Sequence, residues 1–176
     1  MRNIIFKKWR ELQLKINEQR NVLDRDSLLT ILFDWIEQLK NVNDSKIQKL
    51  YYQYFAYFEE ISVSNESVGI KPWYSMKNII DHDILKSTEL SFERPFVKVR
   101  DILWELLVIK SNKECTCCGD DNLRVMVYKG QQDLFFTCDI CGCIIDEAGN
   151  KKEVNNKLFP ASYELIESRK IQVCGW

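Results

Sequence analysis

Two short segments of this chain carry one pattern. Cys115-Thr116-Cys117-Cys118-Gly119 and Cys138-Asp139-Ile140-Cys141-Gly142 each contain Cys-x-x-Cys-Gly, with nineteen residues between Cys118 and Cys138. Two residues between thiolates let a tight turn aim both sulfurs at one ion. A glycine after the second cysteine permits the positive φ that closes the turn. The gap lies inside the usual spacing for a four-cysteine metal site. Four thiolates fill a tetrahedral coordination sphere and leave no position open for a substrate, so the metal implied is structural. This constraint brings the two segments together whatever the rest of the chain does.

The residues around the cysteines read as strands. Leu123, Val125 and Val127 alternate as in a half-buried strand, 129–133 holds Gly130 and makes a turn, and 134–137 returns. Cys143-Ile144-Ile145 is a third short strand, ended by the polar run 146–150. The pattern resembles the zinc ribbon family over Lys113 to Glu153. By that resemblance Cys115, Cys118, Cys138 and Cys141 are the ligands of one structural zinc ion. Many ribbons carry proline after the first cysteine of each pair, where this chain has Thr116 and Asp139. Cys117 and Cys143 sit at poor spacing for ligands and read as bystanders.

The first 112 residues read as helical. Ile5, Trp9, Leu12 and Ile16 share one helical face. Leu28, Leu32, Trp35 and Leu39 form the stripe of a second helix that Asp26 can cap, broadened by Leu29, Phe33 and Ile36. Ser45 and Gln48 fit a capping box before Ile47, Leu50, Tyr51, Tyr54, Phe55, Phe58 and Ile61. Residues 62–71 read as a loop, 72–80 as a short helix, and 81–94 as ambiguous. Pro95 fits the first turn of a further helix, buried through Phe96, Val99, Ile102, Leu103, Leu106 and Leu107 and ending near 110–112. A last helix starts at Pro160. The expected fold is mainly α with a small β module. A helical bundle (1–112) is followed by a four-cysteine zinc ribbon (113–154), then a C-terminal helix and tail (155–176) packing on the helical domain.

Charge narrows the function. Lys plus Arg is 25 and Asp plus Glu is 26, and 45% of the 176 residues are hydrophobic, so neither a disordered chain nor a bulk polybasic binder fits. From Ser111 to Glu147, three bases stand against seven acids, a local −4, and a zinc ion with four thiolates adds −2. Phosphate backbones bind through Lys and Arg, so this module favours a basic protein partner over nucleic acid. Asp120, Asp121 and Asp139 are its candidate contacts. Tyr52 and Tyr57, off the main face of the third helix, are two more, since exposed tyrosine favours interfaces. The first twenty residues are basic and carry the alternative, a nucleic-acid-associated regulator with the ribbon as scaffold.

His82, between Asp81 and Asp83, is the one histidine and reads as a loop or helix-end residue. No nucleophile elbow, phosphate loop or His-Glu-x-x-His occurs. Lys7 and Lys8 interrupt the N-terminal apolar run too early for a signal peptide, and no window reaches a membrane span. A cytoplasmic protein with no membrane contact is expected, and in a reducing cytosol clustered cysteines are metal ligands more often than disulfides. Small size, an acidic module and no catalytic motif resemble bacterial immunity proteins. The expectation is a non-enzymatic protein that binds and blocks a cognate toxin, such as a basic nuclease.

Overall fold

The second and third helices each begin where a carboxylate can take up free amides. Asp24 accepts from the Ser27 amide at 2.8 Å and starts α2 (Arg25–Lys40), which follows α1 (Arg2–Gln19), so Asp26 falls in the first turn instead of at the cap. Asp44 accepts from the Lys46 and Ile47 amides (2.9 and 3.2 Å) and starts α3 (Ser45–Phe55). The capping box expected of Ser45 and Gln48 therefore does not form, because Asp44 takes the cap position. The Gln48 side chain turns back to the carbonyls of Lys40 and Val42 (2.7 and 3.0 Å), tying α3 to the preceding loop. In both helices the aspartate directly before the first helical residue is in register to reach the third helical amide, and Asp44 reaches the second as well.

The structure is a computed structural model and describes residues 2–60, 75–87, 91–120 and 122–174. They form two compact units, one of residues 2–60, 75–87 and 91–106, the other of 107–120 and 122–174. The first unit is helical. It holds α1 (Arg2–Gln19), α2, α3, a short 3-10 turn (Phe58–Glu60), α4 (Met76–Asn78) running into a π-helical stretch (Ile79–Leu85), and α5 (Arg94–Leu107). Ser75 caps α4. The loop expected over 62–71, together with Ile61 and Pro72 to Tyr74, lies outside the described residues.

Every residue of the α1 stripe, Ile5, Trp9, Leu12 and Ile16, is buried, as are Leu28, Leu32, Trp35 and Leu39 of α2. Trp35 is the centre of this core. Its ring meets Trp9, Phe55 and Phe96 edge-on at centroid distances of 6.1, 6.3 and 6.2 Å. Its indole N–H donates to the Lys8 carbonyl at 3.0 Å, so the polar end of the side chain is satisfied inside an apolar cluster. Phe55 stacks on Phe96 at 5.7 Å.

The second unit is an antiparallel sheet with one helix. Its strands are β1 (Lys110–Ser111), β2 (Leu123–Tyr128), β3 (Leu134–Thr137), β4 (Ile144–Asp146) and β5 (Leu158–Pro160). The order is β1-β2-β3-β4, and β5 pairs with β2. Arg124 lies opposite Lys110, and Met126 opposite Pro160, so β1 and β5 share one edge of β2 at its two ends. Two expectations are corrected here. The helix expected to reach 110–112 stops at Leu107, because the chain peels off to pair as β1. The helix expected from Pro160 begins later as α6 (Tyr163–Ser168), capped by Ser162, because Pro160 closes β5. Leu123, Val125, Leu134, Phe136 and Ile145 form one core face, which Ile166 of α6 joins. The C-terminal segment thus contributes to the core of the sheet unit.

The Phe55→Ala variant tests the aromatic core. Phe55 is fully buried against Trp35, Tyr51 and Phe96. Its loss should cost about 3–5 kcal/mol in urea unfolding followed by far-UV circular dichroism.

Candidate metal centre

The two cysteine turns are built alike, hydrogen bond for hydrogen bond. In the first, Gly119 N–H donates to the Cys115 carbonyl (2.8 Å) and Cys115 N–H donates to the Asp120 carbonyl (2.6 Å). In the second, Gly142 N–H donates to the Cys138 carbonyl (3.0 Å) and Cys138 N–H donates to the Cys143 carbonyl (2.9 Å). Gly119 and Gly142 adopt φ of 78° and 69°, the left-handed conformation that glycine takes without a Cβ penalty. The β2–β3 hairpin pairs Arg124 with Thr137, immediately before Cys138, and so delivers the second turn to the first.

The result is a cluster of four thiols. The sulfurs of Cys115, Cys118, Cys138 and Cys141 all lie within 4.8 Å of one another, close enough to hold a metal ion. Two pairs run between the turns, Cys115 to Cys141 at 3.7 Å and Cys118 to Cys138 at 3.5 Å. In each turn the first cysteine is buried and the second is exposed. As free thiols the two buried members differ. Burial raises the Cys115 thiol, but N–H groups of Cys117 and Cys118 and the neighbouring thiols outweigh it and bring it down to about 7. Burial dominates at Cys138 and pushes its thiol up to about 12.

One acidic residue lies against the cluster and another is held by cations of the same unit. The Asp120 carboxylate lies 3.4 Å from the Cys138 sulfur. Asp139 is held by Arg124 at 2.7 Å and Lys110 at 3.7 Å. These two expected partner contacts are thus engaged within the unit. Asp121 lies outside the described residues. Tyr52 and Tyr57 belong to the helical unit. Tyr52 is exposed, as expected, whereas Tyr57 is half-buried with its ring 4.9 Å from that of Trp104. Among the described residues of this unit, Ile140 is a large apolar side chain that sequence reasoning passed over, 76% exposed within the second turn. Its signal was an isoleucine at a turn position that only solvent or a partner can occupy.

Cys117 and Cys143, expected as bystanders, are joined by a disulfide. The remaining cysteine, Cys174, reaches the Asn122 carboxamide oxygen at 3.2 Å.

In the helical unit, Asp81 pairs with Arg20 at 2.8 Å and Asp83 with Lys98 at 3.6 Å. The two acids beside the exposed His82 are therefore turned to cations. The basic face of α1 is likewise engaged in part, since Lys7 pairs with Glu11, Lys15 with Asp34 and Lys8 with Gln38. No helix among the described residues is long and apolar enough to cross a membrane. The chain matches no protein-family model, no curated protein and no solved structure.

The turn after β4 braces the first cysteine turn, since Thr116 Oγ1 donates to the Gly149 carbonyl at 3.4 Å. Its shape depends on Asp146, whose carboxylate accepts from the Asn150 amide at 2.8 Å and pairs with Lys152 at 3.1 Å. The Asn150 N–H, above all, holds Asp146 down at about 2, against an ordinary 3.8. A carboxylate with a depressed pKa stabilises the fold above its ordinary value, and that contribution is lost as pH falls through the folded value. The stability gap between wild type and Asp146→Asn should therefore be full above about pH 4 and narrow toward pH 2, as measured by urea unfolding at each pH.

Proposed function

We propose that the chain is a non-enzymatic, protein-binding protein whose second unit is a zinc ribbon around one structural zinc ion. The observation that carries the metal reading is the convergence of four thiols from two turns with the same hydrogen bonding. A tetrahedron of zinc–sulfur bonds of about 2.3 Å has edges of roughly 3.8 Å. The sulfur pairs at 3.5 and 3.7 Å are close to such edges. Four thiolates saturate it, so its role is to organise the two turns, not to activate water.

Support for protein binding comes from the open side of the site. Cys118 and Cys141 are exposed there, and Ile140 stands out into solvent beside them. A zinc ion with four thiolates carries −2, so an apolar contact beside an anionic centre suits a basic protein with a shallow apolar pocket. The concrete form of this reading is an inhibitor or immunity-type protein that covers a basic toxin, such as a nuclease. Ion pairs of Lys7, Lys15 and Arg20 weaken the nucleic-acid reading, because a cation held by a neighbouring acid gains less from a phosphate.

Elemental analysis of the purified chain should give about one zinc per molecule, as a closed four-thiolate site requires. Cys118→Ser and Cys138→Ser should each lower the zinc content and the solubility. Full zinc retention in both variants, or iron in place of zinc, would overturn the assignment.

A pull-down from native cells should retain a basic protein in high salt, and Ile140→Asp should lose it while keeping its zinc. Retention on heparin or DNA that falls steeply with salt, unchanged by Ile140→Asp, would favour the nucleic-acid reading instead.

A further inference from the structure

Two cysteines outside the four-thiol set occupy the same two loops. Cys117 lies inside the first turn, between Cys115 and Cys118, and Cys143 directly follows Gly142 at the close of the second. Their Cα atoms are 6.5 Å apart across a sequence separation of 26, a distance that a disulfide spans. Cys143 is also fixed by its carbonyl, which accepts the Cys138 N–H at 2.9 Å. Cys117 is exposed, whereas Cys143 is buried.

We propose that Cys117 and Cys143 are a redox-reversible second clasp on the two cysteine turns, holding the sheet unit together when the metal is absent. A metal at the four-thiol site ties 115–118 to 138–141, and the disulfide ties 117 to 143. The two links close almost the same loop. A cross-link of this kind restricts the unfolded chain, and a bound metal favours the folded chain by mass action. The links are therefore redundant in the oxidised chain, and the reduced chain depends on the metal alone.

The chemistry balances with a peroxide as oxidant. The exposed Cys117 thiolate attacks one peroxide oxygen, breaking the O–O bond and leaving a sulfenic acid and, after protonation, water. The Cys143 thiol then attacks the sulfenic sulfur, forming the S–S bond and releasing a second water. Two thiols lose two electrons and two protons, and hydrogen peroxide becomes two waters. A small dithiol returns both electrons and both protons and is itself oxidised to a cyclic disulfide.

The inference rests on the zinc reading only where metal is removed, and the test keeps the two apart. The full-length protein is prepared reduced with dithiothreitol or oxidised with hydrogen peroxide, each with and without EDTA, and its zinc is measured. Peptide mapping of the oxidised chain should find Cys117 linked to Cys143. Hydrogen exchange is then followed in 123–128 and 134–137. After chelation these strands should stay protected in the oxidised chain and exchange faster in the reduced chain, on the order of tenfold or more. The double variant Cys117→Ser/Cys143→Ser should respond to EDTA as the reduced chain does, under both conditions.

Equal loss of protection in oxidised and reduced chains would overturn the proposal, as would oxidation that leaves 117 and 143 unlinked. A second metal equivalent in the reduced chain alone would also overturn it. Cys117 and Cys143 would then be ligands with Cys115, whose sulfur lies within 4.8 Å of both of theirs. If no zinc is found, the metal reading fails, and the clasp still stands on the difference between oxidised and reduced strands.

Discussion

Four thiols within 4.8 Å of one another set the terms for the second unit. Bringing them together requires the two cysteine turns to meet, and the hairpin between them must supply both reach and register. The β2–β3 pairing does so by setting Arg124 opposite Thr137, the last residue before Cys138. A one-residue slip would turn Leu123, Val125 and Phe136 from the core face to the opposite one and carry the second turn away from the first. The core face and the thiol cluster thus depend on the same register. The apolar core is small, built from one face of a short sheet and α6, so closure of the turns matters more here than in the helical unit.

Charge around the cluster is arranged locally. Arg124 and Lys110 hold Asp139, and Lys113 lies over the Phe136 ring at 4.5 Å. Counting residues along the chain makes this module strongly acidic, but part of that acid is already matched by cations of the same unit. What remains open is the side bearing Cys118, Cys141 and Ile140, where an anionic centre would meet an apolar side chain. The helical unit is held differently. Trp35 joins α1, α3 and α5 through ring contacts, and Tyr51 extends the cluster while donating its hydroxyl to Glu59. Burial, more than the hydrogen bond to Glu59, pushes the Tyr51 hydroxyl well above its ordinary value, so it stays a donor at any ordinary pH.

Much of this was legible in the order of residues, because local periodicity reports which face of an element is buried. The stripes of α1 and α2, the glycines of the two cysteine turns and the alternation of β2 needed no neighbour to be recognised. Misplaced boundaries share one cause: several groups compete for the same amides, and reach decides among them. Asp24 prevails over Asp26 and Asp44 over Ser45 because each lies where its carboxylate meets the first free N–H groups. β5 escaped notice because three residues ending in Pro160 have no period of their own, and only pairing with β2 makes them a strand.

The matched spacing of Cys115, Cys118, Cys138 and Cys141 determined by itself that two turns should meet, since both turns are local and the gap between them is a hairpin's length. It could not determine what else meets there. That Cys117 reaches Cys143, that Asp139 lies between Arg124 and Lys110, and that Ile140 faces solvent all depend on how the turns sit once the sheet has formed. Those relations join residues far apart in the chain, and only strand register brings such residues within reach.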